Sequence, residues 1–439
     1  MTSEQGRGAR VRQSLALLGS RTFGVYWFAS LLSNIGFWAN EVAQPWLLLG
    51  LGASSFLVGL DSFVGDAPGW LLTLAGGFLA DRYDRRKIIA FFQTIQMLCP
   101  IALVVLIVTH TVQSWMIILT SLVVGITDAL SMPSFQTIVP SIVRRDQIGA
   151  GLALSSTQFN LSRVLGPGMA GLLMASAGAV WCFVANAASY IPFILVALWI
   201  LPRGRVHAAP DGATHDDVDA APSAGLRTIV AAPHVRWALC VVAALCFLCS
   251  PLLTFCPILV RDAFAGGGAA FSIAVSAFGV GGLLGGIILL GVETARDQRR
   301  LTVALAVACG GAVAGAGLAR AFWLLPVVLV IAGATLSMTN TLINTLLQVT
   351  ASPNRRGQTI SLVMFAMRGG MALGSLATGA MVGLVGVRTA LVVNGVLAIA
   401  AQLTLGALWL RSRLPEDFAA LHDRSGVPLA DAMTASPHC

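Results

Sequence analysis

Glu41, Asp66, Asp128, Arg163 and Arg368 each lie deep inside a long apolar run of the chain. A charge at the centre of a bilayer costs roughly 2.5–3.5 kcal/mol on insertion scales, so each of these residues asks for a partner, a proton or a ligand. The chemistry open to such groups is ion and proton handling, because an acid that sheds its charge by taking up a proton can also carry that proton. At about 1.5 Å of rise per residue, Glu41 and Asp66 fall near the same depth on adjacent antiparallel helices. Two like charges in a low dielectric resist joint ionisation, so one of them is expected to hold a proton near neutral pH. Asp128 is the third candidate for that role. Asp61 is shallower and open to a reading in which it faces outer water. Asp128 with Arg163 is the simplest structural pair. Arg368 has no deep acid in its own half, so a carboxylate of the first half or an anionic substrate would complete it.

Polar and aromatic positions could shape a cavity around these charges. Asn340, Asn344 and Gln348 recur at intervals of four, so they share one helix face. Trp38, Trp46, Trp70, Phe63 and Phe255 could line such a cavity, although aromatic residues in membrane spans also serve as packing and interface anchors.

The elements that must position these residues follow from composition. The 439 residues are 56% hydrophobic and 10% charged, with a mean hydropathy of +0.83. Soluble domains carry about 25% charge, so the expected solvent is lipid. A bilayer core needs about 20 helical residues per crossing. Twelve spans are expected, at 23–50, 55–80, 88–109, 114–138, 148–177, 180–201, 236–260, 267–291, 301–319, 322–349, 357–384 and 388–410. The first is too long for the core of a cleavable signal peptide and reads as a retained span.

Basic residues set the orientation. With both termini inside, the inner segments hold 22 of the 27 basic residues. The outer loops hold only Arg261, Arg320 and Arg388. The expected location is the bacterial inner membrane, crossed many times, with both termini cytoplasmic. A basic patch for nucleic acid is not indicated, since the bases come in short clusters between apolar runs.

The expected organisation is a cytoplasmic segment 1–22, a six-helix bundle 23–201, a Pro/Gly/Asp-rich linker 202–235, a second bundle 236–410 and a cytoplasmic tail 411–439. The halves echo each other weakly. VRRDQIGAGLALSS (143–156) is similar to NRRGQTISLVMFAM (354–367), and Asn186 parallels Asn394. Seven of the eight cysteines sit in apolar runs. The Cys246/Cys249 spacing lies within one of them, which suits small buried hydrophobes better than a metal site. No metal site and no cofactor are implied.

GGFLADRYDRRK, residues 76–87, packs two acids and four bases into its last seven positions and holds the only lysine, Lys87. Its glycines permit close helix approach. Asp81 can cap or pair across a helix junction, and Arg82, Arg85, Arg86 and Lys87 can hold anionic lipid. From Gly77 onward it resembles the loop between the second and third helices of the major facilitator superfamily. Residues 36–48, 133–173 and 355–362 are similar to the enterobactin-exporter-like branch. The resemblance implies an all-α integral membrane fold of twelve helices in two pseudo-symmetric six-helix bundles. It also implies a gating latch formed by Gly77, Asp81, Arg82, Arg85, Arg86 and Lys87.

Gly166, Pro167 and Gly168 resemble the kink motif in the fifth helix of proton-driven antiporters, except that Leu172 replaces the second of its paired final glycines. A plain helix kink is the alternative.

The function expected is secondary active transport, namely proton-coupled efflux of small amphipathic molecules, drugs or siderophores, by alternating access. The partners would be the small-molecule substrate, protons and membrane lipid, and the protein would act as a monomer. An uptake carrier of the same fold and a non-transporting receptor or lipid-handling protein are the alternatives. With one lysine, in a loop, and no HExxH, neither an ATP-binding P-loop nor an enzyme is expected.

Overall fold

Backbone polar groups cannot stay unpaired in lipid, so a chain of long apolar runs must coil into helices that satisfy them internally. The computed structural model describes residues 16–144, 147–200, 231–290, 298–350 and 356–412, and among these no strand occurs. The helices of the first half are α1 (Phe23–Gly50), α2 (Ser55–Asp66), α3 (Pro68–Arg82), α4 (Arg85–Val108), α5 (Ser114–Gln136), α6 (Ile138–Ile142), α7 (Ile148–Ser176) and α8 (Val180–Trp199). Those of the second half are α9 (Pro233–Cys249), α10 (Pro251–Ile258), α11 (Gly268–Leu290), α12 (Arg299–Leu318), α13 (Leu324–Thr350), α14 (Arg356–Val385) and α15 (Val387–Arg411). A π-helical turn, Leu259–Ala263, follows α10.

Among the described residues, nine helical stretches are long and apolar enough to cross a membrane. Three further stretches, 23–50, 55–82 and 148–176, hold Glu41, Asp61, Asp66 and Arg163, which lower their hydropathy. The segment expected as one span at 55–80 is broken after Asp66. Pro68 has no N–H to donate, so the ladder is interrupted there and α3 restarts with the proline in its first turn. Ser54 caps α2 by accepting from Leu57 N at 3.3 Å.

Packing is dense within each half. In the first, α1 lies on α7 and α8, and α5 lies on α2, α3 and α4. In the second, α11 packs on α13, α12 on α13 and α15, and α9 on α14 and α15. Between the halves, contact is carried mainly by α2 on α14 and α7 on α11.

Apolar side chains face outward as well as inward: Phe91, Leu172, Trp199, Ile287 and Leu384 are all exposed, as a lipid-facing surface requires. The seven described cysteines are free, and Cys246 and Cys249 are buried in the core. The linker 202–230 and the tail from 413 lie outside the described residues, as do the side chains of Asp81 and Gln348.

Candidate functional site

The bases Arg82–Lys87, Arg144, Arg299 and Arg411 mark one end of the helices, here the basic end. At the opposite end the halves are sealed together. Ser55 Oγ donates to Gly379 O at 3.2 Å, Ser62 Oγ donates to Ser375 Oγ at 3.3 Å, and Arg261 Nη1 donates to Leu49 O at 2.7 Å. Phe255 and Trp46 belong to this seal. Phe255 is fully buried, and Trp46 stacks on Phe271 with centroids 5.9 Å apart. Phe255 is therefore packing between helices and does not line a cavity.

Toward the basic end the halves part. Along one face of α1, Ser30, Asn34 and Phe37 are partly exposed and Glu41 is exposed, until Leu48 closes the face at 0%. The same holds on α7, where Leu152 and Phe159 are exposed and Arg163 partly so, until Ala170 at 0%. Successive positions seven and eleven apart share a helix face. On helices packed against each other, the two stripes form an exposed strip, here the crevice, that starts at the basic end and stops at the level of Glu41 and Arg163.

Arg368 stands at the wall of this crevice and crosses between the halves. Its Nη2 donates to Asp128 Oδ2 at 3.2 Å, and its Nη1 lies 3.9 Å from Asp66 Oδ1. Asp128 is thus paired with Arg368. The Asp128–Arg163 pair considered from sequence does not form.

Two glycines permit the cluster. A Cβ on Gly125 would overlap the Gly65 carbonyl, so α5 and α2 touch next to Asp66 and about one turn before Asp128. A Cβ on Gly69 would meet Arg368 Cδ at 3.0 Å and Nη1 at 3.1 Å, so the guanidinium lies flat against α3. Beside it, Trp70 contacts Phe63 and Phe365, each with centroids 6.2 Å away. The three ionic side chains keep 28–39% exposure.

Asp61 is 7% exposed, which overturns the reading that it faces outer water. It accepts from Gln44 Nε2 at 3.2 and 3.0 Å and from Ser121 Oγ, and Asn40 Nδ2 donates to Gln44 Oε1 at 3.1 Å. Gln44 and Ser121 were not picked out from sequence. Gln44 carried the same signal as Glu41, a polar residue within an apolar run, whereas a serine in a helix carries none.

Arg163 lies over the Trp38 ring at 4.9 Å and the Phe159 ring at 6.0 Å. Asn340 and Asn344 are half-buried, and Asn344 Nδ2 bonds back to Asn340 O at 2.9 Å. Asn340 Oδ1 is buried without a partner.

The kink motif sits at a helix crossing. A Cβ on Gly166 would overlap Trp38 Cβ, and one on Gly171 would meet Ser272 Cβ at 2.5 Å across the halves. Gly168 is more open, with only Ser276 Oγ in reach at 3.9 Å. Pro167 lies inside α7 between these contacts, where it has no N–H to give to the helix ladder. Leu172 is 70% exposed and points away from both neighbours, so its departure from the motif leaves the packing intact.

In the loop of 82–87, Asp84 caps α4. It accepts from Arg86 N at 3.0 Å and holds the Arg86 guanidinium at 3.0 Å, while Arg86 Nη1 reaches Leu198 O at 3.1 Å. Burial pushes the Asp84 carboxyl up, but the Arg86 side-chain and backbone hydrogen bonds outweigh it and hold the carboxyl below its ordinary value. Arg82 lies 5.9 Å over Phe78, and Lys87 is exposed.

A sequence model described as transmembrane secretion effector matches residues 12–433. The chain belongs to that family of major facilitator transporters.

The transporter is 26% identical to the staphyloferrin A transporter of Staphylococcus aureus over 60% of its own length and 66% of that protein. It is 27% identical to the enterobactin exporter EntS of Salmonella typhimurium over 45% of its length and 48% of the exporter. It is 26% identical to the multidrug efflux pump Tap of Mycolicibacterium fortuitum over 42% and 46%. The alignments thus span about two thirds of the first relative and about half of the others. In fold, the transporter is similar to the nucleoside transporter NupG (TM-score 0.72, 12% identity, 89% and 99% covered). It is also similar to an inward-facing bacterial Spinster homologue (TM-score 0.69, 17% identity, 89% and 96% covered). It is a multi-pass membrane protein of a transporter family, not of an enzyme family.

Proposed function

We propose that the transporter exports small amphipathic molecules of the drug or siderophore class across the bacterial inner membrane in exchange for protons, by alternating access. The observation that carries this reading is the Arg368 tie. A cation of the second half is held by Asp66 and Asp128 of the first, at the wall of the crevice. Protonating Asp66 removes one of its two counter-charges, so proton uptake weakens a bond between the moving halves. Glu41 is the second proton candidate, and Asp128 the third.

The halves, 23–201 and 236–410, are the moving units, joined by the linker. Both termini lie in the cytoplasm, so the crevice opens inward. The relatives' names, two exporters among them, support the direction. The described partners of Arg82, Asp84 and Arg86 lie within the first half. That suits a latch between halves that forms only when the inner end closes.

The test is efflux from reconstituted vesicles against an imposed pH gradient. Asp66→Asn or Glu41→Gln should abolish uphill transport and spare downhill exchange. If both single variants and the double variant pump uphill with normal pH dependence, neither residue carries the proton.

A further inference from the structure

We infer that Arg163, seated on the Trp38 and Phe159 rings, is the recognition point for an anionic group, such as a carboxylate, on an otherwise apolar substrate. This rests on the export reading above and names its substrate class.

The two arginines of the crevice differ in one respect. Arg368 is engaged through both terminal nitrogens by Asp128 and Asp66. Arg163 has no carboxylate within 4.0 Å among the described residues. Its guanidinium instead covers the Trp38 ring at 4.9 Å and the Phe159 ring at 6.0 Å, and those rings meet edge to face at 6.1 Å. Ring faces stabilise a cation but accept none of its in-plane N–H bonds. The fork of donors that fits a carboxylate therefore stays unused.

Position supplies the rest. Arg163 is the last partly exposed residue on the crevice face of α7 before Ala170 closes it, and Phe159 and Leu152 extend that face toward the open end as apolar surface. A ligand entering from the basic end would lay its apolar body along Leu152 and Phe159 and deliver its anionic head to Arg163. The Trp38 Nε1 donor is buried and has no partner among the described residues. Glu41, one turn beyond Trp38 on α1, is the only acid on the same face of that helix.

The experiment uses the full-length transporter in lipid nanodiscs without a pH gradient, and two probes with the same ring and opposite charge, 2-naphthoate and 2-naphthylmethylammonium. Naphthoate should raise the melting temperature in a concentration-dependent way and the ammonium should not. Arg163→Gln should weaken the apparent affinity for naphthoate at least about tenfold, and Arg163→Lys less. In the wild-type protein, naphthoate should slow phenylglyoxal modification of Arg163 and leave Arg411 unaffected, by peptide mass spectrometry, so the result stands even if Arg163→Gln does not fold. An unchanged naphthoate response in Arg163→Gln, an equal response to both probes, no response to naphthoate at about 10 millimolar (about ten-thousandfold above a micromolar Kd), or no protection of Arg163 would overturn the assignment. Because nothing is pumped in this assay, a protein that binds naphthoate through Arg163 but fails the efflux test would sink only the export reading.

Discussion

Arg368 Nη2 lies 3.2 Å from Asp128 Oδ2, a hydrogen-bonded ion pair between residues 240 positions apart and on opposite halves of the transporter. Removing one member leaves the other uncompensated inside the membrane, so the pair should behave as a unit. In a double-mutant cycle of Asp128→Asn and Arg368→Gln, read by thermal unfolding in nanodiscs, the coupling is expected at about 0.5–3 kcal/mol. Strict additivity would mean that the contact contributes nothing to the folded state.

The seal opposite the crevice offers a mechanical test. Ser62 and Ser375 touch through their hydroxyls at 3.3 Å. In a background freed of native cysteines, Ser62→Cys with Ser375→Cys should form a disulfide on mild oxidation, stop transport, and recover on reduction. Full transport by the cross-linked protein would mean that this end never opens.

Helix α7 gives a contrast between neighbours of the same motif. Gly166→Leu drives a side chain into Trp38 and should destabilise by about 1–3 kcal/mol. Leu172→Ala, on the exposed side, should change stability by less than about 0.5 kcal/mol. Comparable losses at both sites, by melting temperature, would contradict the packing described.

Asp84 links the loop to pH. Its carboxyl is depressed in the folded protein, so the stabilisation it gives is present above the ordinary carboxylate value near 4 and is lost as pH falls through the lower folded value. Asp84→Ala should destabilise by about 1 kcal/mol at neutral pH, the usual effect of losing a helix cap, and progressively less below about pH 4. A pH-independent difference between the two proteins would remove the charge from the explanation.

Orientation is tested by labelling. An impermeant thiol reagent applied to intact cells should reach Ala265→Cys and miss His215→Cys. Labelling of position 215 from outside would invert the topology.

The helices were legible because lipid imposes one rule on every residue in it, and apolar runs of spanning length record that rule in one dimension. The same depth argument drew attention to Glu41, Asp66, Asp128, Arg163 and Arg368. What it could not supply was lateral position. Asp128 and Arg163 are both central in their spans, yet Asp128 meets Arg368 of α14 and Arg163 meets Trp38 of α1, where Gly166 lets α7 approach closely. Asp61 was misplaced for a related reason. Ser121 and Gln44 hold its carboxylate in a buried hydrogen-bonded cluster, and a hydroxyl on another helix leaves no trace near Asp61 in the sequence. The break at Ala67 followed from Pro68, although a proline inside α1, α4 or α8 interrupts nothing comparable.

The halves meet chiefly along α2 with α14 and along α7 with α11. On the proposed cycle both lines must part when the sealed end opens and meet again when it closes. Small residues suit a contact that is made and broken: Gly59 lies against Ser375 and Gly171 against Ser272, so the helices approach closely with few side chains to catch on one another. A bulky residue placed at either line would prop the halves apart there and shift the protein toward the state in which that end is open.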